Sequence, residues 1–138
     1  LKKQINVLQL GPYIEITGPL KQSDVLPYYK KADLFILMAQ PEWHWGIPNV
    51  LIEALAAKTP VITTEFGSVH ELVKHQKTGL IVPAKKAEVL AQNIELLYYD
   101  DSLRQKLAEA GHKIVLEKFD LGKNILQFKE RLQKYAAF

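Results

Sequence analysis

Along the chain, short apolar runs alternate with longer segments of helical period. Leu1-Lys2-Lys3-Gln4-Ile5 runs straight into a helix-like pattern. Tyr13 to Thr17 alternates in strand fashion and stops at the turn pair Gly18-Pro19. Ser23 is suited to cap a short helix through Lys31, with Pro27 early in it, where a missing N–H costs less than it would mid-helix. Leu34 to Met38 is a continuous apolar run, as expected of a strand covered on both faces. A loop rich in Pro and Trp, from Ala39 to Pro48, leads into a helix over Asn49 to Lys58, with Pro48 suited to its first turn. Pro60 to Thr64 is the next buried strand. Gly67-Ser68, a short helix around Val69 to Lys74 and a last short strand over Gly79 to Pro83 follow. From about residue 86 the pattern is helical. Ala87, Leu90, Ala91, Ile94, Leu97 and Tyr98 share one face, and Leu121, Ile125, Phe128, Leu132 and Tyr135 repeat at offsets of four and three.

Strand-helix-strand alternation with apolar strands predicts an α/β fold, a Rossmann-like parallel sheet flanked by helices. Residues 1–138 read as a single domain with no internal repeat and no linker. Only about four strands are visible where a doubly wound sheet has ~5–6. Together with the absence of an initiator Met, this reads as a piece of something longer, lacking its first strand-helix unit.

Composition narrows the function classes. Hydrophobic residues make up 48% and charged residues 24%, the proportions of a soluble globular domain. The net charge of +3 is scattered, with Lys2-Lys3, Lys30-Lys31 and Lys85-Lys86 as isolated pairs, so a nucleic-acid surface is not expected. There is no cysteine, and the four histidines lack ligand spacing, so no metal site is expected. No apolar run reaches the ~20 residues of a membrane span and no signal-peptide pattern opens the chain, which makes cytoplasmic the default.

In open parallel sheets, ligands bind beyond the carboxyl ends of the strands. Three loops qualify: Gly18-Pro19-Leu20, the stretch from Pro41 to Asn49, and Glu65 to Ser68. Gly46-Ile47-Pro48 stands just ahead of a helix. The N–H groups of Asn49, Val50 and Leu51 at its start, with the positive end of the dipole, suit a phosphate. Glu53, one turn further in, can either accept two hydrogen bonds from a ribose diol or simply complement the dipole. Gly67-Ser68 repeats the strand-to-helix anion geometry. Trp43, His44 and Trp45 can stack on a sugar or pack on the helix below.

These residues fall into blocks. Ala32 to Leu37, Gly46 to Ala56, Thr59 to Thr64, Gly67 to Val73, Lys77 to Pro83 and the Leu-rich helices ending at Phe119-Asp120 together resemble the family-four (group 1) glycosyltransferases, in order and spacing. The resemblance covers essentially the whole chain. It implies the C-terminal, donor-binding domain of a GT-B enzyme that needs no metal or other cofactor. Such an enzyme transfers a hexose-type sugar, with retention, from a UDP-, GDP- or ADP-sugar to a glycan, lipid or small molecule. It implies a cytoplasmic protein, in some members peripheral to the inner face of a membrane.

By the same resemblance Glu53 is the second Glu of the family's Glu-x7-Glu motif and holds the ribose, while the N–H groups of Asn49 to Leu51 hold the distal phosphate. Gly18, Pro19 and Leu20 border the base. Gly46, Gly67 and Ser68 line the cleft. The first Glu of the motif would stand where Trp45 does, so Trp45 and the nearby Glu42 are the candidates for sugar contact. The family's basic pair on the diphosphate and its acceptor domain would lie upstream, and no catalytic residue is assigned within the chain. In GT-B proteins the terminal helix packs toward the acceptor domain, so an uncovered Leu121–Tyr135 stripe is expected to self-associate. A GT-B-fold nucleotide-sugar epimerase and a non-catalytic binding or scaffold domain are the alternatives.

Overall fold

The computed structural model describes residues 1–40, 42 and 46–136. Its centre is a strand in which every residue is buried. This is β2 (Val61–Thr64), flanked in parallel by β1 (Phe35–Leu37) and β3 (Leu80–Val82) in the order β1-β2-β3. Phe35 stands opposite Val61, and Ile62 opposite Leu80. Side chains alternate along a strand, so Val61 and Ile62 enter different cores. Val61 joins Leu51, Leu55, Val69, Leu72, Val73, Ile114 and Val115 on one face. Ile62 joins Leu80, Val82, Leu97 and Leu107 on the other. Apolar cover on both faces is why these strands read as unbroken apolar runs rather than as alternation.

The helices are α1 (Lys2–Val7), α2 (Gln22–Lys31), α3 (Asn49–Ala56), α4 (Ala87–Tyr99), α5 (Asp101–Lys118) and α6 (Leu121–Ala136). α3 connects β1 to β2 and presents Leu51, Ala54 and Leu55 to the core. α5 lies across α3, and Gly111 makes that approach possible. A methyl group there would run into the Leu55 side chain and the Thr78 carbonyl. His112 Nδ1 sits 3.3 Å from the Leu55 carbonyl and ties the two helices again.

Four expectations need correction. Tyr13 to Thr17 is not a strand: Gly11–Tyr13 forms a 3-10 turn with Pro12 at its start, and the chain beyond is extended but pairs with no described strand. Its apolar side chains Tyr13, Ile14 and Ile16 are exposed, so the alternation has no face to bury. The sheet therefore has three strands among the described residues. α2 starts at Gln22 with Lys21 as N-cap, and Ser23 Oγ bonds the Asp24 carboxylate instead of capping. Pro27 is consequently mid-helix, where its ring removes one hydrogen bond to the preceding turn. The helix around Val69 to Lys74 shrinks to a 3-10 turn, Val69–Glu71.

Candidate functional site

Threonines at the carboxyl end of the sheet fix where the ligand-side loops begin. The Ala39 N–H donates to Thr64 Oγ1 at 2.9 Å, and that hydroxyl donates to the Ala39 carbonyl at 2.7 Å. Thr63 Oγ1 likewise donates to the Leu37 carbonyl at 2.9 Å. These buried bonds carry the β1–β2 ladder past the last strand residue and hold the two exits together. The stretch leading to Gly46 and Asn49 and the turn Glu65 to Ser68 thus leave from one edge.

From that edge α3 begins. Pro48 is its N-cap, with φ −63° and ψ 130°, and proline can offer no side-chain acceptor to the first turn. Ile47 packs against the core and anchors the entry. The Leu51 N–H donates to the Pro48 carbonyl at 3.0 Å, and the Leu51 side chain is fully buried. That removes Leu51 from the expected anion donors. Asn49 and Val50 are exposed, and their N–H groups have no acceptor among the described residues. The first turn, Asn49 to Ile52, also lacks an acidic residue to complement the dipole, so its positive end stays open to an anion.

Glu53 lies half-buried in the second turn of α3. Side chains on a helix lean toward its N-terminus, so the carboxylate reaches back toward Asn49 and Val50, about one turn or ~5 Å away. It is held from α2, where Gln22 Nε2 donates to Glu53 Oε1 at 3.3 Å. Tyr29, buried on the face of α2 that packs on the core, lies on the same side of α3. Burial first, then the hydrogen bond to Glu53 and its negative charge, push the Tyr29 phenol up to about 12. At ordinary pH the phenol is therefore neutral. Gly18, Pro19 and Leu20 are exposed and lie just ahead of Gln22, which brings that segment to the Glu53 side of the site. Gly18 is there for its backbone: φ is +69°, and a Cβ would meet nothing within 4 Å.

The Gly67 turn, with φ +34°, sits at the same sheet edge, with Phe66 buried beneath it and Ser68 half-buried. Within this loop Glu65 Oε1 and His70 Nε2 approach to 3.1 Å on the surface. Gly46 and Glu42 are exposed. Trp45, with Trp43 and His44, lies outside the described residues. By topology Asn49, Val50, Glu53 and the Gly67 turn follow the carboxyl ends of β1 and β2, and Gly18 to Leu20 precede Gln22, which bonds Glu53. Gln22 escaped sequence reasoning, because its partner is Glu53, 31 residues away, and no local spacing signals such a pair.

A cavity of about 410 Å³ lies elsewhere, lined by Asp33, Leu34, Ile94, Leu97, Tyr98, Asp101 and Arg104. It opens at the amino end of β1, opposite to where open parallel sheets bind ligands. Its one cation, Arg104, is already engaged by Asp101 at 2.5 Å and by the Leu97 carbonyl. No group of three or more His, Asp or Glu residues able to hold a metal occurs among the described residues.

The fold is an α/β architecture of the GT-B type, and comparison gives the family. Residues 1–114 match the family described as glycosyl transferases group 1, and the chain belongs to it. It is 37% identical over 110 residues to the putative teichuronic acid biosynthesis glycosyltransferase TuaC of Bacillus subtilis, covering 79% of this chain and 27% of TuaC. Among solved structures it resembles the C-terminal domain of the group 1 family protein LpcC from Francisella tularensis. The TM-score is 0.74 at 26% identity, over 87% of this chain and 60% of that one. It also resembles Anabaena HepE in complex with UDP-glucose, with a TM-score of 0.84 at 25% identity, over 96% of this chain and 35% of HepE. The chain spans about a quarter of the TuaC sequence it matches. The family assignment leaves the epimerase alternative with no observation in its favour.

Proposed function

We propose that this chain is the nucleotide-sugar-binding part of a retaining glycosyltransferase that moves a hexose-type sugar to a glycan, lipid or small-molecule acceptor. The observation that carries the reading is the pairing of an open α3 N-terminus, at Asn49 and Val50, with a carboxylate one turn in that is already held in place. The two groups match a diphosphate joined to a ribose. The N–H groups of Asn49 and Val50 take the distal phosphate, and Glu53 accepts from the ribose diol. Gly18 to Leu20 border the base. Gly46, Gly67 and Ser68 line the cleft, with Glu42 and Trp45 toward the sugar. HepE was solved with UDP-glucose, which favours a UDP-sugar donor here.

As the donor bond breaks, negative charge builds on the departing diphosphate. A helix N-terminus aimed at it stabilises that charge without reorganising. The chemistry requires no metal in this reading, and an acceptor domain and basic residues on the diphosphate complete the site. The protein works in the cytoplasm, at the inner face of the membrane when its acceptor is a lipid. No described helix is long and apolar enough to cross one.

Calorimetric titration of the chain with UDP, GDP and ADP tests the proposal. Binding of one of them is expected, weakened about 10- to 100-fold by Glu53→Ala, the loss of hydrogen bonds to a charged acceptor. No binding at millimolar nucleotide would favour the scaffold alternative, and unchanged affinity in Glu53→Ala would remove the ribose role.

A further inference from the structure

Every residue of β2 is buried, yet its last two are threonines rather than the Val and Ile that a strand covered on both faces favours. Side chains alternate along a strand, so the Thr63 and Thr64 hydroxyls leave opposite faces of the sheet. Both turn to the chain beside them. Thr63 Oγ1 donates to the Leu37 carbonyl at 2.9 Å, within the register that pairs Leu37 with Thr63. Thr64 Oγ1 reaches past the register, accepting from the Ala39 N–H at 2.9 Å and donating to the Ala39 carbonyl at 2.7 Å. One hydroxyl thus satisfies both backbone groups of a residue beyond the end of β1.

Ala39 is only 4% exposed and Thr64 is fully buried, so water has no access to replace these bonds where they stand. Without the hydroxyl, the Ala39 N–H and C=O would be orphaned, and the β1 exit would have to move to find partners. That exit carries the stretch toward Gly46, Pro48 and the open N–H groups of Asn49 and Val50. Thr64 also immediately precedes the turn Glu65 to Ser68. The two ligand-side loops therefore take their spacing from one side chain. The body of α3 depends on it less, because Leu51, Ala54 and Leu55 seat that helix in the core.

We propose that Thr64 is a positioning residue for the distal phosphate of the donor, its hydroxyl setting the separation of the loops that lead to Asn49 and to Gly67. This rests on the reading of the α3 N-terminus given above. Glu53, further into the seated helix, and Gly18 to Leu20 serve the nucleoside end and are not held by this hydroxyl. Thr64 therefore acts on one end of the ligand only.

The test is calorimetry on the whole chain with whichever of UDP, GDP and ADP binds it, and with the monophosphate of the same nucleoside. The ratio of the two affinities isolates the distal phosphate. The wild type is expected to prefer the diphosphate about 10-fold or more. Thr64→Val, nearly isosteric, is expected to cut that preference about 3- to 10-fold while monophosphate affinity holds. Thr64→Ser, which keeps the hydroxyl, is expected to retain it. Thr78→Val is the matched control. The Thr78 hydroxyl also serves two backbone groups, accepting from the Lys74 N–H at 2.8 Å and donating to the Leu72 carbonyl at 2.9 Å, but it stands ahead of β3, at the amino edge of the sheet. Thr78→Val is expected to lower the urea midpoint as Thr64→Val does and to leave the ratio at its wild-type value. Amide exchange on the wild type needs no variant: at equal saturation, the diphosphate is expected to slow exchange at the Ala39 N–H more than the monophosphate does. Equal slowing, a ratio that moves no further in Thr64→Val than in Thr78→Val, or a loss in Thr64→Ser as large as in Thr64→Val would each overturn the positioning role. So would equal weakening of both nucleotides in Thr64→Val. The phosphate reading survives those outcomes while the wild type keeps its diphosphate preference. A wild type with no such preference, or no nucleotide bound at all, overturns that reading and this inference with it.

Discussion

α5 and α6 begin alike and end differently. Each opens on an aspartate whose carboxylate accepts the N–H three residues on at 2.8 Å, Asp100 from Leu103 and Asp120 from Lys123. Each carries apolar residues at helical spacing. α5 buries Leu107, Ala108, Gly111, Ile114 and Val115 against α3, α4 and the sheet. On α6 the stripe Leu121, Ile125, Phe128, Leu132 and Tyr135 stays between 53% and 76% exposed. Capping and periodicity make the helix in both cases. Only in α5 does a neighbouring surface complete the burial, and most helical stability in proteins comes from such packing.

The sharpest way to break this comparison is one substitution made on both helices. Leu107→Ala removes a fully buried side chain beside Ile62, Leu80 and Leu97 and is expected to cost about 2–5 kcal/mol. Leu132→Ala on α6 is expected to stay within about 0.5 kcal/mol. Urea unfolding midpoints decide it. Equal costs would mean that α6 is packed in solution.

The packed body should also show itself in titration. Tyr29 is raised from 10.0 to about 12 by burial and by Glu53. In this window the unfolded chain binds fewer protons at this residue than the folded one, so stability falls as pH rises. The contribution is fully present below pH 10 and lost on passing from 10 through 12, a fall on the order of 2 kcal/mol. The urea midpoint of the wild type should therefore fall relative to that of Tyr29→Phe across that range. Parallel curves would place the phenol in solvent.

Glycines sharpen the contrast at smaller scale. Gly111→Ala gains about 1 kcal/mol of helix propensity but drives a methyl into the Leu55 side chain and the Thr78 carbonyl. A net loss of about 1 kcal/mol is expected. Gly122→Ala, near the exposed start of α6, meets only the Asp120 carboxylate at 3.3 Å and should stay within about 0.5 kcal/mol of wild type. Thermal melts of the pair measure both. A stabilised Gly111→Ala would mean that α5 and α3 can separate without cost.

The same distinction explains what the sequence let one read. β1, β2 and α3 were legible because burial on both faces leaves unbroken apolar runs such as Val61-Ile62, and Pro48 marks a helix start locally. Tyr13 to Thr17 carries the strand alternation but no partner edge, and alternation alone cannot make a ladder. Leu51 looked like an anion donor until the turn geometry gave its N–H to Pro48. Glu53 could be found from its place one turn into α3. Gln22 could not, since what brings it to Glu53 is the packing of α2 on α3, a tertiary fact with no periodic trace.

The last contrast concerns association. The α6 stripe runs five apolar side chains along sixteen residues, with Lys123, Lys129, Glu130 and Lys134 at other positions of the helix. A continuous exposed apolar strip of this kind marks an interaction surface, whereas the apolar face of α5 is already satisfied. We therefore expect the chain to self-associate through α6 as concentration rises, with little change in its unfolding at low concentration. Phe128→Glu places a charge mid-stripe and should restore a monomer, while Glu130→Gln, which leaves the stripe intact, should not. Sedimentation equilibrium over a hundredfold range of concentration distinguishes the two. A wild-type chain that stays monomeric throughout would show that the stripe, exposed as it is, does not bind its own copy.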